Sequence, residues 1–371
     1  MTMSTPSQED NIRRFSTDTV RSQIASYLRA WGMPEEQVET TATVMVDADL
    51  CGIDTHGISM IPTYDRRRRQ GALRIPSTIS VERESPVSAL VDGGGGLGHY
   101  PAVCSVKLAT EKARTSGLAV VAVRNSNHYG AAGYYARMLS ASGLIGMSTT
   151  SGPQAWSAPT LGKGAKLSTN PLAFAAPGRR NDDFCLDMAT TTVAAGKIRN
   201  RAVEDRTIPV GWANDGEGRP LLDPRAFDPD ERGATMTPLG GTFEGASYKG
   251  YGLSVMVEIL STALTGARSV SSRNASTDVS SGMDVGHFFL AIDPLLFRDD
   301  GEFEDSIDSL IDGLHETTPI DPSRPVMVAG EPENKVRQER SRVGIPIPPG
   351  LLRQLAAVAE SSNADFLLGT S

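Results

Sequence analysis

An α/β protein flanked by mostly helical segments is what this sequence predicts, on three observations. Between Pro86 and Asp293, short β-branched runs alternate with helix-like stretches separated by turn residues. Before residue 86, apolar residues recur at helical spacing, and the tail beyond residue 298 is again helical in texture. A chain of 371 residues has room for two or three domains. The expected organisation is a disordered tail over 1–12, a mostly helical substrate and dimerisation region made of 13–85 plus 298–371, and an α/β cofactor-binding domain over 86–297.

The elements follow in order. Ser16 or Thr17 caps a helix whose apolar stripe is Val20, Ile24, Leu28 and Trp31, and Gly32 closes it. Pro34, followed by Glu35 and Glu36, opens a second helix that runs to about Leu50. The run Gly52-Ile53-Asp54-Thr55-His56-Gly57 ends this hairpin. Asp65 and the four arginines 66–69 read as a solvated face. Strands are expected over 87–92 and 118–123, around a helix over 101–116 that Gly117 closes. A helix over 130–142, strands over 144–149 and 184–187, a helix over 251–265 and a strand over 287–292 complete the α/β part. The serine-rich stretch 269–282 reads as a mobile loop, the proline- and acid-rich stretch 313–334 as surface chain, and 349–361 as an amphipathic helix.

Composition excludes several classes. The net charge of −8 argues against a nucleic-acid partner. No apolar run approaches the ~18 residues of a membrane span and the first dozen residues are polar, so a cytoplasmic address and no membrane partner are expected. Cys51, Cys104 and Cys185 are odd in number and lack CxxC spacing, which points to buried thiols. No pair of His, Asp or Glu has metal-ligand spacing on one helix, so no metal is expected.

Chemistry is concentrated in a few runs. In Asp54-Thr55-His56-Gly57 an acid, a hydroxyl and an imidazole are adjacent, and the imidazole titrates near neutrality. Gly93-Gly94-Gly95-Gly96-Leu97-Gly98 satisfies the GxGxxG pattern between a strand and a helix. Four consecutive glycines satisfy many patterns, however, and Arg124 and Asn125 stand where an acid should hold the ribose. The run 124–135, which includes His128-Tyr129-Gly130-Ala131-Ala132, leaves a strand and enters a helix, so its first amides face the strand end where open α/β sheets bind ligands. Similar small-residue texture recurs over 169–174, 186–191 and 238–252. There Asp187 ends an apolar strand and needs a partner, for which His56 is a candidate, and Lys249 opens a helix where it could meet a phosphate or a carbonyl oxygen.

In their order and spacing the five runs other than the glycine one resemble the type-2 malate/L-lactate dehydrogenase family, which includes sulfolactate and ureidoglycolate dehydrogenases and a cyclic-imine reductase branch. The likeness covers about Asp49 to Pro294. It implies an α/β NAD(P)-binding fold that is not the Rossmann fold, in which the glycine run is structural, and usually a homodimer with cofactor sites near the subunit interface. The implied reaction is hydride transfer between a nicotinamide and a small 2-oxo or 2-hydroxy acid. The imine-reductase branch implies instead a proton relay through Thr55, His56 and Asp187 acting on a cyclic imine carboxylate. A catalytically silent dinucleotide-binding protein is the alternative outside enzymology.

By position, the resemblance offers His56 and His128 for one acid/base role, of which His128, the candidate of the ureidoglycolate branch, is favoured for an alcohol substrate, with His56 polarising it and Thr55 standing where relatives carry serine. Tyr64 matches a family tyrosine at the substrate. Met60 falls where some members place a carboxylate-binding arginine, so another cation must serve, and the arginines 66–69 become candidates beside Lys249. Around the cofactor the resemblance sets His128, Tyr129, Gly130, Ala131, Ala132, Asp187, Met188, Ala189, Lys249, Gly282 and Met283. Ser151 would stand in for a hydroxyl absent at Gly152. NAD is the expected nucleotide, with NADP open through Arg124 or Arg201.

Overall fold

The computed structural model describes residues 12–229, 231–275 and 282–369. The tail expected over 1–12 lies outside these except for residue 12, as does 276–281 of the serine-rich stretch. The chain begins with β1 (Arg13–Phe15), α1 (Thr17–Ala30) and α2 (Glu35–Leu50). Ser16 caps α1 by accepting the Thr19 amide, and α2 starts after Pro34 with its acids in the first turn, both as the sequence predicts. A 3-10 turn (Ile58–Met60) leads into α3 (Ile61–Arg69), which the sequence reading treated only as a solvated charge run. The run is helical because Ile61, Tyr64 and Asp65 share its buried face.

Next come β2 (Ser80–Ser85), β3 (Ser88–Asp92), α4 (His99–Ser116), β4 (Leu118–Ser126), α5 (Ala132–Ser140), β5 (Ile145–Thr150), β6 (Leu172–Ala176) and β7 (Phe184–Met188). A lobe with α6 (Ala195–Val203), β8 (Ala213–Asn214) and β9 (Thr235–Met236) precedes α7 (Ser247–Glu258), α8 (Val270–Ala275) and β10 (Val285–Ile292). The chain closes with α9 (Glu302–His315), α10 (Glu331–Val343), β11 (Ile345–Ile347) and α11 (Pro349–Ser362). Two boundaries move from expectation. The helix expected from 251 begins at Ser247 and passes into a π-helical stretch (Ile259–Ala263), and part of the expected serine-rich loop is α8.

Seven strands form one sheet in the order β2-β3-β4-β10-β5-β6-β7. Only β3 and β4 run parallel, and every other neighbouring pair is antiparallel. The fold is therefore mixed α/β. One face of the sheet packs on α4 and α5 in a cluster that includes Val121, Val123, Tyr135, Leu139, Phe289 and Ala291. On the other face, Gly286 lies so close to the Ser261 carbonyl that a Cβ would come within 1.8 Å of it. A second apolar cluster joins the chain ends: Ile24, Leu28, Met45 and Tyr64 pack with Ile345, Ile347 and Leu355. β1 pairs antiparallel with β11, and α11 packs against α3.

The glycine run 93–98 is a turn that protein atoms fill. Its amides at 93, 94, 95, 96 and 98 donate to Arg124 O, Asp92 Oδ1, Asn125 O, Gly93 O and His128 O. No donor in that set remains for a pyrophosphate. All three cysteines are free, with Cys51 and Cys185 buried and Cys104 half-buried. Among the described residues no helix is long and apolar enough to cross a membrane, and no group of three His, Cys, Asp or Glu could hold a metal ion.

Candidate active site

Four of the five histidines lie within mutual electrostatic reach, though they come from four separate stretches of sequence. His56 follows α2 in the loop that enters α3, and its Nδ1 meets Thr55 Oγ1 at 2.8 Å. The loop sits low over α2 because Gly57 has no side chain: a Cβ there would be 1.8 Å from Asp49 Oδ1. Asp49 is buried, accepts the Ile58 amide at 2.9 Å, and burial lifts its carboxyl pKa to about 8.

His128 leaves the end of β4 and faces His56, with ring centroids 5.3 Å apart. Its Nδ1 is 2.7 Å from the Tyr64 hydroxyl and receives a longer contact, 3.4 Å, from the Gly130 amide. An amide can only donate, so Nδ1 is the acceptor and the neutral ring carries its proton on Nε2. Among the described residues, Nε2 of His56 and of His128 has no partner and is not sealed from solvent, so both nitrogens remain for a substrate. Burial lowers the His56 pKa to about 4; burial, then His56 and Arg67, hold His128 well below the usual imidazole value. Both rings are neutral at pH 7.

Behind this pair stand two histidines that the sequence reading did not single out. His99 is fully buried at the start of α4, meets Tyr64 edge-on at 5.8 Å, and neither of its ring nitrogens has a partner. His287 is buried in β10 between Ser126 Oγ at 2.8 Å and Thr150 Oγ1 at 2.7 Å. A histidine on a buried face has the sequence signature of any core residue, so only its type could have drawn notice.

The remaining predicted positions divide. Asp187 does not hydrogen-bond His56; its Oδ2 accepts the Gly133 amide at 2.7 Å, so the carboxylate is engaged by the first turn of α5. It stays open to a cavity of about 460 Å³ that Gly133, Arg137, Cys185 and Glu333 also line. The protein mass around it raises its pKa to about 6, through burial against the opposing Gly133 bond. The Tyr129 side chain faces the core, stacked on His287 at 4.4 Å and on Tyr135 at 4.6 Å, which leaves only its backbone near the expected cofactor. Gly130, Ala131 and Ala132 are buried at the α5 entrance, while Met188 and Ala189 are half-buried after β7.

Ser151 is buried too, with its hydroxyl donating to Glu258 at 2.9 Å and accepting from Arg273 at 3.0 Å. Met60 packs against the apolar cluster of the chain ends. Lys249 lies exposed on the first turn of α7, with no side-chain partner among the described residues, and is not joined to the histidines. Gly282 and Met283 are half-buried before β10.

One group of polar atoms bears on a cofactor. Ser168 Oγ, Asn170 Oδ1 and Ser254 Oγ are buried without partners. Asn170 Nδ2 contacts Ser254 O at 3.0 Å, and Ser168 Oγ would lie 2.0 Å from a Cβ on Gly152, so the three share the neighbourhood of the β5 end. Buried polar atoms left unpaired there fit a polar ligand group, such as part of a dinucleotide, at the strand end where the sequence reading expects one.

Comparison with known proteins adds the following. Residues 15–356 match the family model for malate/L-lactate dehydrogenase. The chain is 36% identical over 360 residues to malate dehydrogenase of Pyrococcus horikoshii, covering 97% of this chain and 98% of that one. It is 33% identical over 336 residues to (2R)-3-sulfolactate dehydrogenase (NADP(+)) of Chromohalobacter salexigens, covering 90% and 94%. The crystal structure of malate dehydrogenase from Entamoeba histolytica matches with a TM-score of 0.90 at 31% identity, over 96% of this chain and 99% of that chain.

Proposed function

As a member of the malate/L-lactate dehydrogenase family, this chain is a dehydrogenase of 2-hydroxy acids, and we propose that it interconverts a small 2-hydroxy acid of the malate, lactate or sulfolactate kind with its 2-oxo acid, using NAD. The observation that carries the reading is the facing pair His56 and His128, each with Nδ1 occupied and Nε2 free.

When bound, the nicotinamide supplies or accepts the hydride. The protein's share is orientation and the proton. A substrate carbonyl between the two rings accepts a hydrogen bond from Nε2–H of His128; a solvent proton taken up on Nδ1 makes the ring an imidazolium, which passes its Nε2 proton to the new alkoxide and is left neutral. In the reverse direction the neutral ring, with its proton on Nδ1 toward the Tyr64 oxygen, accepts the hydroxyl proton at Nε2 and returns one proton to solvent. Tyr64, buried with its pKa raised by burial, keeps its proton and holds the His128 ring in register. His56, braced by Thr55, lies against the other side of the carbonyl oxygen.

NAD rather than NADP is favoured by the two arginines that could have met a 2′-phosphate. Arg124 is paired with Glu82 at 2.7 Å, and Arg201 lies over the Trp212 ring at 5.6 Å. The dinucleotide-binding arrangement we favour is not the Rossmann one, because the GxGxxG amides are consumed internally and a single strand pair is parallel. A homodimer is favoured by α7 and the π stretch after it. Their apolar residues are not confined to one face, and within one chain Tyr248, Ile259 and Leu264 are left exposed.

The test follows NADH and NADPH oxidation against pyruvate, oxaloacetate, sulfopyruvate and ketopantoate, with Δ1-piperideine-2-carboxylate as the imine control. Turnover of at least one 2-oxo acid, faster with NADH, is expected. His128→Ala and His56→Ala should each lower kcat by ~10²–10⁴. Wild-type rates in the His128 variant would remove it from the proton-transfer role.

A further inference from the structure

The four arginines after Asp65 have different surroundings. Arg68 and Arg69 both pair with the buried Asp65, at 2.8 and 2.7 Å, and Arg66 lies exposed. Arg67 turns toward the loop that carries His128: its Nη1 donates to Asn127 Oδ1 at 3.1 Å, the same oxygen that accepts the His128 amide at 2.9 Å. Asn127 is fully buried, and its own Nδ2 reaches Ala72 O at 3.2 Å, so this support is fixed.

No Asp or Glu among the described residues neutralises Arg67. Burial lowers its pKa, and the titratable side chains that act on it are the neutral Tyr64 and the like-charged Arg66. A guanidinium keeps its charge in proteins and has five N–H donors, of which the structure uses one here. A half-buried cation in that condition is costly unless an anion completes it.

We propose that Arg67 is the anchor for the substrate carboxylate, the specificity residue that holds a 2-oxo acid with its carbonyl against the two histidines. This rests on the 2-hydroxy-acid reading above. The other candidates are otherwise disposed: residue 60 is a methionine packed in the core of the chain ends, and Lys249 is exposed on α7. The planar fork of Arg67 suits two-point recognition of a carboxylate. Its charge also lowers the pKa of His128. A bound carboxylate cancels that field, so filling the site makes His128 hold a proton more firmly as the carbonyl arrives.

The experiment titrates oxamate, a non-reducible carboxylate analogue of a 2-oxo acid, into the protein saturated with NADH, by calorimetry. Arg67→Gln retains a donor for Asn127 but not the charge; Arg67→Lys retains charge. Arg67→Gln should weaken oxamate at least about 30-fold and Arg67→Lys less than about 10-fold, with NADH affinity and melting temperature unchanged in both. Oxamate binding by Arg67→Gln within about threefold of wild type overturns the proposal. Equal losses in the two variants, or no oxamate binding by the wild type, also overturn it. If oxamate binds through Arg67 while no 2-oxo acid is reduced with either nucleotide, the anion site stands and the 2-hydroxy-acid reading fails.

Discussion

Single residues set the chemistry through what they touch. The Tyr64 hydroxyl is the partner that fixes the His128 ring, and Tyr64→Phe leaves Nδ1 with only the long contact from Gly130. Losing a hydrogen bond of this kind costs about 1–3 kcal/mol, so kcat should fall ~10- to 100-fold with the fold intact by circular dichroism. An unchanged kcat would show that Tyr64 does not orient the ring. Because burial lowers both imidazole pKa values, both rings are already neutral below the ordinary histidine value of about 6.5. The acid limb of kcat/KM for hydroxy-acid oxidation is therefore expected below pH 6, and a limb at 6.5 to 7 would contradict the geometry. Asp49 adds a stability signature. Its carboxyl has a pKa of about 8 in the fold, against about 3.9 in an unfolded chain. Between those values the unfolded state holds fewer protons, so this group disfavours folding increasingly as pH rises, by up to about 1.4 kcal/mol per unit. Asp49→Asn should raise the urea midpoint relative to wild type at about pH 8 and not at about pH 4.5; a pH-independent difference would rule this out. The sequence made His56 and His128 legible because glycines and a strand end surround them. It could not show where the Asp187 carboxylate is spent, since the Gly133 amide that takes it lies 54 residues away in the chain.

At the scale of elements, legibility followed apolar content. The helices α1, α2, α4 and α11 were readable from stripes and caps, and β4 and β10 from β-branched or aromatic runs. The strand β2, Ser-Val-Glu-Arg-Glu-Ser, was not, because an exposed edge strand needs no apolar face. Likewise α10 has no buried residue and α3 hides three buried side chains behind a row of arginines. The glycine run had the letters of a phosphate loop, and only the hydrogen bonds show that its amides serve the turn. Gly94 there combines φ +67° with a position where a Cβ would come within 2.4 Å of the Thr78 carbonyl oxygen. Gly94→Ala should destabilise by about 2–4 kcal/mol in a urea melt while leaving the nucleotide affinity of the remaining folded protein unaltered. Loss of nucleotide binding with full stability would instead restore the phosphate-loop reading.

For the whole molecule, the sequence conveyed an α/β fold but neither its mixed strand directions nor its strand order. The order β4-β10-β5 inserts a strand from near residue 290 between two from the first half of the chain, and pairing at that separation leaves no local signal. The exposed apolar face of α7 belongs to this scale. In the proposed homodimer, Ile259→Glu in the π stretch after α7 should give a monomer in sedimentation at micromolar concentration where the unmutated chain gives a dimer; a dimer in both would place the interface elsewhere, and a monomer in both would remove the homodimer.

The pairing of β1 with β11 reaches further than the small ribbon it makes. His56 sits on the terminal layer and His128 on the sheet, and the terminal layer closes only when 345–347 meets 13–15 and Arg13 reaches Gly369 O at 3.0 Å. During synthesis β1 must therefore wait for β11, so a nascent chain that has not yet made β11 carries both histidines without a closed terminal layer. The same proximity of Arg13 and Gly369 means that the chain could be joined covalently near these residues and reopened at a distant surface turn with the facing histidine pair undisturbed.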